Sequence, residues 1–142
     1  VVLDAKLPHL DAYNKARQNA AKKYNEAFKD EVNIITPIGN SSCQGICDTC
    51  DCHVFHQYTL RLKNVDRDAL VTYLNEHGIP CGVYYPIPLH KQKAYADERY
   101  NEDDFKVTNQ LVKDVISLPM HTELDDEQIA FITSKVKAFI NG

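Results

Sequence analysis

Four cysteines, Cys43, Cys47, Cys50 and Cys52, stand at C-x3-C-x2-C-x-C spacing, with His53 and His56 directly behind them. Thiolates and imidazoles are the donors that zinc and other soft metals prefer. The usual structural zinc site joins two ligand pairs through a longer loop, whereas here all four thiols crowd into one. A C-x-C pair is too short to close an unstrained disulfide on itself, although Cys43 or Cys47 can reach Cys50 or Cys52. A metal site, a redox module and reduced loop thiols all stay open on this spacing. Cys81, far along the chain, reads as a small buried residue on a strand.

A second chemical concentration runs from Gly82 to Tyr95, with adjacent phenols at Tyr84 and Tyr85, prolines at 86 and 88, and an imidazole at His90. Each proline holds φ at about −65° and pushes its predecessor toward extended geometry, so the segment is a stiff connector and no helix. Stiff loops that display hydrogen-bonding aromatics build small-molecule sites. The same residues also serve to plug a core edge. His56 and Tyr58 are expected on one strand face and Gln57 on the other; a lone strand histidine is usually a satisfied structural residue. The acids Asp97, Glu98, Glu102, Asp103 and Asp104 read as a solvated loop rather than as paired catalytic carboxylates. There is no glycine-rich phosphate cradle, metalloprotease helix motif or G-x-S-x-G elbow. These residues alone do not mark the chain as an enzyme.

The elements that must position these groups follow from periodicity. Leu10, Tyr13, Ala20, Tyr24, Ala27 and Phe28 recur at helical spacing and predict a long helix from about Pro8 to Phe28, with Pro8 near its first turn. Val32 to Thr36 is a short apolar run read as a strand and ended by Pro37. His53 to Leu62 alternates, which predicts a strand with Val54, Tyr58, Leu60 and Leu62 inward. Asp66 to His77 reads as a helix with Leu70, Val71 and Leu74 as its stripe and Gly78 as its stop. Ile79 to Tyr85 is expected to return as a strand. Val107, Leu111, Val112 and Val115 mark a third helix, and Val115 to Leu118 a brief terminal strand. Asp125 followed by Gln128 forms a capping-box pattern ahead of a last helix that buries Ile129, Ile132, Val136, Phe139 and Ile140. The expected fold is a two-layer α/β (α+β) domain, a small, mainly antiparallel sheet of three to four strands with helices packed on one face.

At 142 residues the chain suffices for one domain with one core. A net charge of −4, with basic residues scattered among acids, gives no case for nucleic acid or an anionic membrane as partner. No apolar run approaches the roughly 20 residues that span a bilayer. Val1-Val2-Leu3 runs straight into charged residues and does not resemble a signal peptide. The chain opens without methionine and reads as helix at once, which suggests a piece of a longer protein.

Several separated segments together resemble the DegT/DnrJ/StrS aminotransferase family. Leu10-Asp11-Ala12-Tyr13-Asn14-Lys15-Ala16-Arg17 with Ala20-Ala21-Lys22-Lys23-Tyr24-Asn25 looks like the long helix entering that family's C-terminal domain. His53-Val54-Phe55-His56-Gln57-Tyr58 looks like its H-V-[FY]-H-Q-Y strand. Gly78-Ile79-Pro80 followed by Tyr84-Tyr85-Pro86-Ile87-Pro88-Leu89-His90 resembles its G-I-x...[HY]-Y-P-x-P-L-H segment. Leu118-Pro119-Met120, Glu123-Leu124 and Asp126-Glu127-Gln128-Ile129 resemble its terminal L-P-M-x-x-x-L-x-[DE]-E-Q-I signature. The matches keep the family's order over nearly the whole chain.

The resemblance implies pyridoxal-phosphate-dependent transfer of an amino group, from a donor such as glutamate, to a nucleotide-linked keto sugar, as in cell-surface polysaccharide or amino-sugar synthesis. It also implies a cytoplasmic fold-type-I homodimer with active sites at the subunit boundary. Residues 1–142 are then expected to be a single small C-terminal domain. The Schiff-base lysine and most cofactor ligands would belong to a large domain upstream, and this piece alone is expected neither to hold pyridoxal phosphate nor to turn over. Among its own residues Tyr85 matches the motif and is the first candidate for the sugar or cofactor cleft, with Tyr84 and His90 beside it. Tyr84 stands where the family often has histidine. The cysteine cluster lies where most members have a short connection. Two other readings stay open: a cysteine-rich metal-binding or redox module, and a non-catalytic regulatory relic of the aminotransferase fold.

Overall fold

The computed structural model describes residues 1–37 and 53–142. Cys43, Cys47, Cys50 and Cys52 lie outside the described residues. Helix α1 (Val2–Lys6) passes through a 3₁₀ turn at Leu7–His9 into α2 (Leu10–Phe28). The expected start at Pro8 is therefore late. Proline has no N–H for an α-helical bond, and the chain absorbs that loss as one tighter turn instead of a boundary. Leu10 and Tyr13 remain exposed, and the buried face of α2 is Gln18, Ala20, Ala21, Tyr24 and Phe28.

Three strands form an antiparallel sheet in the order β1 (Ile34–Ile35), β2 (Tyr58–Leu62), β3 (Val115–Leu118). Ile34 faces Leu62 across β1 and β2, and Tyr58, Leu60 and Arg61 face Leu118, Ile116 and Val115 across β2 and β3. Tyr58, Leu60 and Leu62 point into the core, while Thr59 and Arg61 point the other way, the period-2 alternation of a half-buried strand.

Two expected strands are corrected. The run from His53 does not pair until Tyr58, because Phe55 adopts φ 48° and its N–H bonds back to His53 Nδ1 at 2.9 Å. That turn breaks the alternation: Phe55, 1% exposed, goes inward in place of Val54. His56 and Tyr58 consequently do not share a pleated face. Ile79 to Tyr85 contributes only an isolated bridge, Gly82 to Ser117. Pro80 and Pro86 bracket it and supply no N–H to a ladder, so a fourth strand does not form.

Helix α3 (Arg67–Glu76) starts on Asp66, whose carboxylate accepts from the Ala69 N–H, and stops at Gly78 with φ 72°. Helix α4 (Lys106–Asp114) has no buried residue, and Val107 of its expected stripe is exposed. The helix is tied at its C-terminal end. Arg67 Nη1 donates to the carbonyls of Val112 and Val115 at 3.1 Å each, and Arg61 Nε donates to Asp114 at 3.2 Å. Helix α5 (Asp126–Asn141) opens on the capping box read from Asp125 and Gln128. Leu70 and Leu74 of α3, Ile129, Ile132 and Val136 of α5, and the α2 face close over the sheet. Each such side chain, fully buried, contributes about 1.5–3 kcal/mol.

Two tyrosines stitch these layers. Tyr24 of α2 stacks on Tyr58 of β2 with ring centroids 4.7 Å apart. The Tyr24 hydroxyl donates to the Pro119 carbonyl at 3.0 Å and the Tyr58 hydroxyl to Asn25 Oδ1 at 2.6 Å. No helix among the described residues is long and apolar enough to cross a membrane.

Candidate functional site

Where β3 ends, the chain leaving α3 crosses it. Gly82 exchanges both backbone hydrogen bonds with Ser117, at 2.8 and 3.1 Å. Both backbone groups of Ser117 thus face Gly82, and on the β2 side its hydroxyl meets Thr59 Oγ1 at 2.8 Å. Such close side-chain approach is characteristic of a non-hydrogen-bonded antiparallel pair. A Cβ at Gly82 would meet only the Tyr84 ring, at 3.9 Å, so this glycine is not demanded by crowding.

The crossing leaves a cleft of about 370 Å³. Its walls are His56 and Gln57 from the turn before β2, Pro80 to Tyr84 from the crossing segment, and Ser117 to Met120 from the end of β3. Its polar groups are an imidazole, an amide, a thiol, a hydroxyl and a phenol. No lysine, arginine or carboxylate lines it among the described residues. Neutral donors and acceptors of this kind suit a hydroxyl-rich ligand, oriented by a few hydrogen bonds against apolar walls. Pyridoxal phosphate does not fit as a resident of this cleft. The lining offers no amine for its aldehyde and no acid for its ring nitrogen, and none of the cations that would hold its phosphate.

The three expected substrate residues separate. Tyr84 lines the cleft and is 60% exposed. Tyr85, next to it, is 79% exposed and is not among the lining residues. His90 is not among the lining residues and stacks on Phe105, ring centroids 4.1 Å apart and 13° between planes. Cys81, expected to be buried on a strand, is half-buried in the cleft wall with its thiol 3.9 Å from the Val71 carbonyl, and burial pushes that thiol up. Ser117, Pro119 and Met120 were missed as lining. Their signal was the Leu118-Pro119-Met120 motif, which local reading takes only as a strand end.

Several acids of the stretch make local contacts. Arg99 donates to both Asp97 oxygens, and the hydrogen bonds from its side chain and its backbone hold the Asp97 carboxyl below the usual carboxylate range. Asp104 closes a capping box with Asn101. Glu102 pairs with Lys91. Among the described residues no group of three or more metal-ligating side chains occurs; the cysteine cluster lies outside them.

Comparison with known proteins extends along the same residues. The family model of DegT/DnrJ/EryC1/StrS aminotransferases matches residues 1–137. The chain is 37% identical over its full length to the UDP-N-acetyl-3-dehydro-alpha-D-glucosamine 3-aminotransferase of Acidithiobacillus ferrooxidans, covering 35% of that protein. It is 36% identical to the pleiotropic regulatory protein of Geobacillus stearothermophilus, over 97% of this chain and 35% of the other. Among solved structures, S. venezuelae DesV in complex with a ketimine intermediate superposes with a TM-score of 0.84 at 27% identity, over 99% of this chain and 35% of that one. A DegT DnrJ EryC1 StrS aminotransferase from Brucella abortus gives 0.80 at 31%, over 97% and 34%. The chain thus spans about a third of the length of the relatives it matches.

Proposed function

Because this chain belongs to the DegT/DnrJ/EryC1/StrS aminotransferase family, we propose that it is the small C-terminal domain of a pyridoxal-phosphate-dependent enzyme. The whole protein moves an amino group from an amino acid, glutamate in the first instance, to a nucleotide-linked keto sugar. One observation carries the reading: the match, along all of this chain and 35% of the relative, to an aminotransferase whose name specifies a UDP-linked 3-dehydro sugar. The cleft at the end of β3 supports it with a neutral, hydrogen-bonding lining suited to sugar hydroxyls.

In this reading the domain shapes the sugar site and the amino-transfer chemistry belongs to residues outside 1–142. Tyr84 holds the cleft wall, Tyr85 reaches the sugar from the rim, and His90 supports their loop. The whole protein works as a cytoplasmic homodimer, and residues 1–142 alone are inactive. The test is direct. Protein carrying this domain, supplied with pyridoxal phosphate, glutamate and a UDP-linked 3-keto sugar, is expected to form 2-oxoglutarate and the amino sugar, followed by mass spectrometry. No transfer to any of a panel of nucleotide keto sugars ends this reading.

A second reading, a regulator that keeps the aminotransferase fold, is supported by the 36% identity to a protein named as a pleiotropic regulator. It predicts a folded whole protein without cofactor absorbance and without transfer in the same assay.

A further inference from the structure

The proline loop and the acidic stretch after it fold against each other. The His90 ring lies flat on Phe105, and Tyr100 meets Phe105 edge-on with centroids 5.8 Å apart and 77° between planes. The His90 side chain keeps only 10% of its surface exposed, and its Nε2 has no hydrogen-bond partner among the described residues. Glu102 reaches the same turn. One of its oxygens pairs with Lys91 and the other stands 3.8 Å from His90 Nε2. Behind them, the Glu102 carbonyl accepts from Asn109 Nδ2 of α4 at 3.2 Å, and α4 is held to the sheet by Arg61 and Arg67. A continuous line of contacts therefore runs from the sheet through α4 and Phe105 to the short 3₁₀ turn Leu89–Lys91, four residues beyond Tyr85.

An imidazole stacked on Phe105 with a tenth of its side chain exposed is well placed to fix the backbone that carries it. Resting on the function proposed above, we propose that Phe105 and Glu102 are positioning residues. They clamp the turn that carries His90, and so set where Tyr84 and Tyr85 stand for the sugar. Neither side chain lines the cleft. The clamp acts through the loop.

The experiment compares Phe105→Ala, Phe105→Tyr and Glu102→Gln in the whole protein. Displacing a substrate-positioning loop by about an ångström costs up to roughly a hundredfold. Phe105→Ala is expected to raise KM for the keto sugar about tenfold or more while KM for glutamate stays put. Phe105→Tyr, which keeps the ring, restores it, and Glu102→Gln gives a smaller rise. Hydrogen exchange supplies a readout independent of activity. The Lys91, Gln92 and Tyr95 amides, bonded to the Pro88, Leu89 and Gln92 carbonyls, should exchange faster in Phe105→Ala. Equal changes in both KM values, or unchanged exchange at these amides, would overturn the proposal. Absence of amino transfer by the unaltered protein overturns the proposed function instead. In that case faster exchange in Phe105→Ala still upholds the clamp, and unchanged exchange still refutes it.

Discussion

Tyr24 and Tyr58 lie ring on ring at 4.7 Å, and each spends its hydroxyl on a different partner, Pro119 and Asn25. The pair joins α2, β2 and the wall of the cleft in one contact. Burial pushes both phenols above the ordinary value of 10.0, with the neighbouring Tyr24 adding to the effect on Tyr58. The folded state therefore holds these protons more tightly than the unfolded chain does. Their contribution is intact below pH 10.0 and is lost as pH rises above it, at about 1.4 kcal/mol per pH unit for each phenol. Urea midpoints taken from neutrality to about pH 11 should fall steeply at the alkaline end, and Tyr24→Phe should flatten the fall. At neutral pH, Tyr58→Phe should cost about 1 kcal/mol, the net worth of its hydrogen bond.

Arg67 joins the first turn of α3 to the last turn of α4 and the start of β3, with 15% of its side chain exposed. Removing it leaves two carbonyls short of a charged donor. Arg67→Ala is expected to lower stability by about 2–3 kcal/mol, read as a shifted urea midpoint with an unchanged slope. Arg67→Lys should recover only part of this, since an ammonium lacks the planar fork.

Gly78 and Gly82 make a matched pair of controls. Gly78 sits at φ 72° with nothing within 4 Å of an added Cβ, so Gly78→Ala meets backbone strain alone and should cost about 1 kcal/mol. Gly82 has no such φ, and Gly82→Ala should be nearly neutral in thermal melts.

Cys81 tests occupation of the cleft. With its thiol pushed up by burial, it should alkylate several-fold more slowly at neutral pH than a free thiol. Peptide mass spectrometry isolates it from the other cysteines. A nucleotide keto sugar should slow the reaction further; no protection would mean that the sugar sits elsewhere.

Much of this arrangement was legible because its signals are local. Asp125 with Gln128 and Gly78 after His77 are capping chemistry, and both stand where the sequence puts them, while Asp66, expected as the first residue of its helix, is the N-cap of α3. Two expectations fail for different physical reasons. Phe55 takes a left-handed φ that nothing in its neighbourhood advertises, and this reverses the inward set before β2. The segment from Ile79 has strand-like residues, but Pro80 and Pro86 limit its pairing to Gly82, and counting apolar positions overlooks missing N–H groups. The role of Phe105 was illegible, since an aromatic in an acidic loop acquires its partner, His90, only through tertiary folding.

Along the outer edge of β3 the outward-facing backbone belongs to Val115 and Ser117, with Pro119 just beyond the strand. The Val115 N–H is turned back to Leu111 and its carbonyl is taken by Arg67. Ser117 gives both groups to Gly82. Pro119 has no N–H, and its carbonyl is held by Tyr24. An open strand edge is a template on which further chains can add. Here the sheet ends with every outward group already engaged, so a strand from another molecule finds no ladder to climb. The contacts that build the cleft wall thereby also close this one edge of the sheet to further strands.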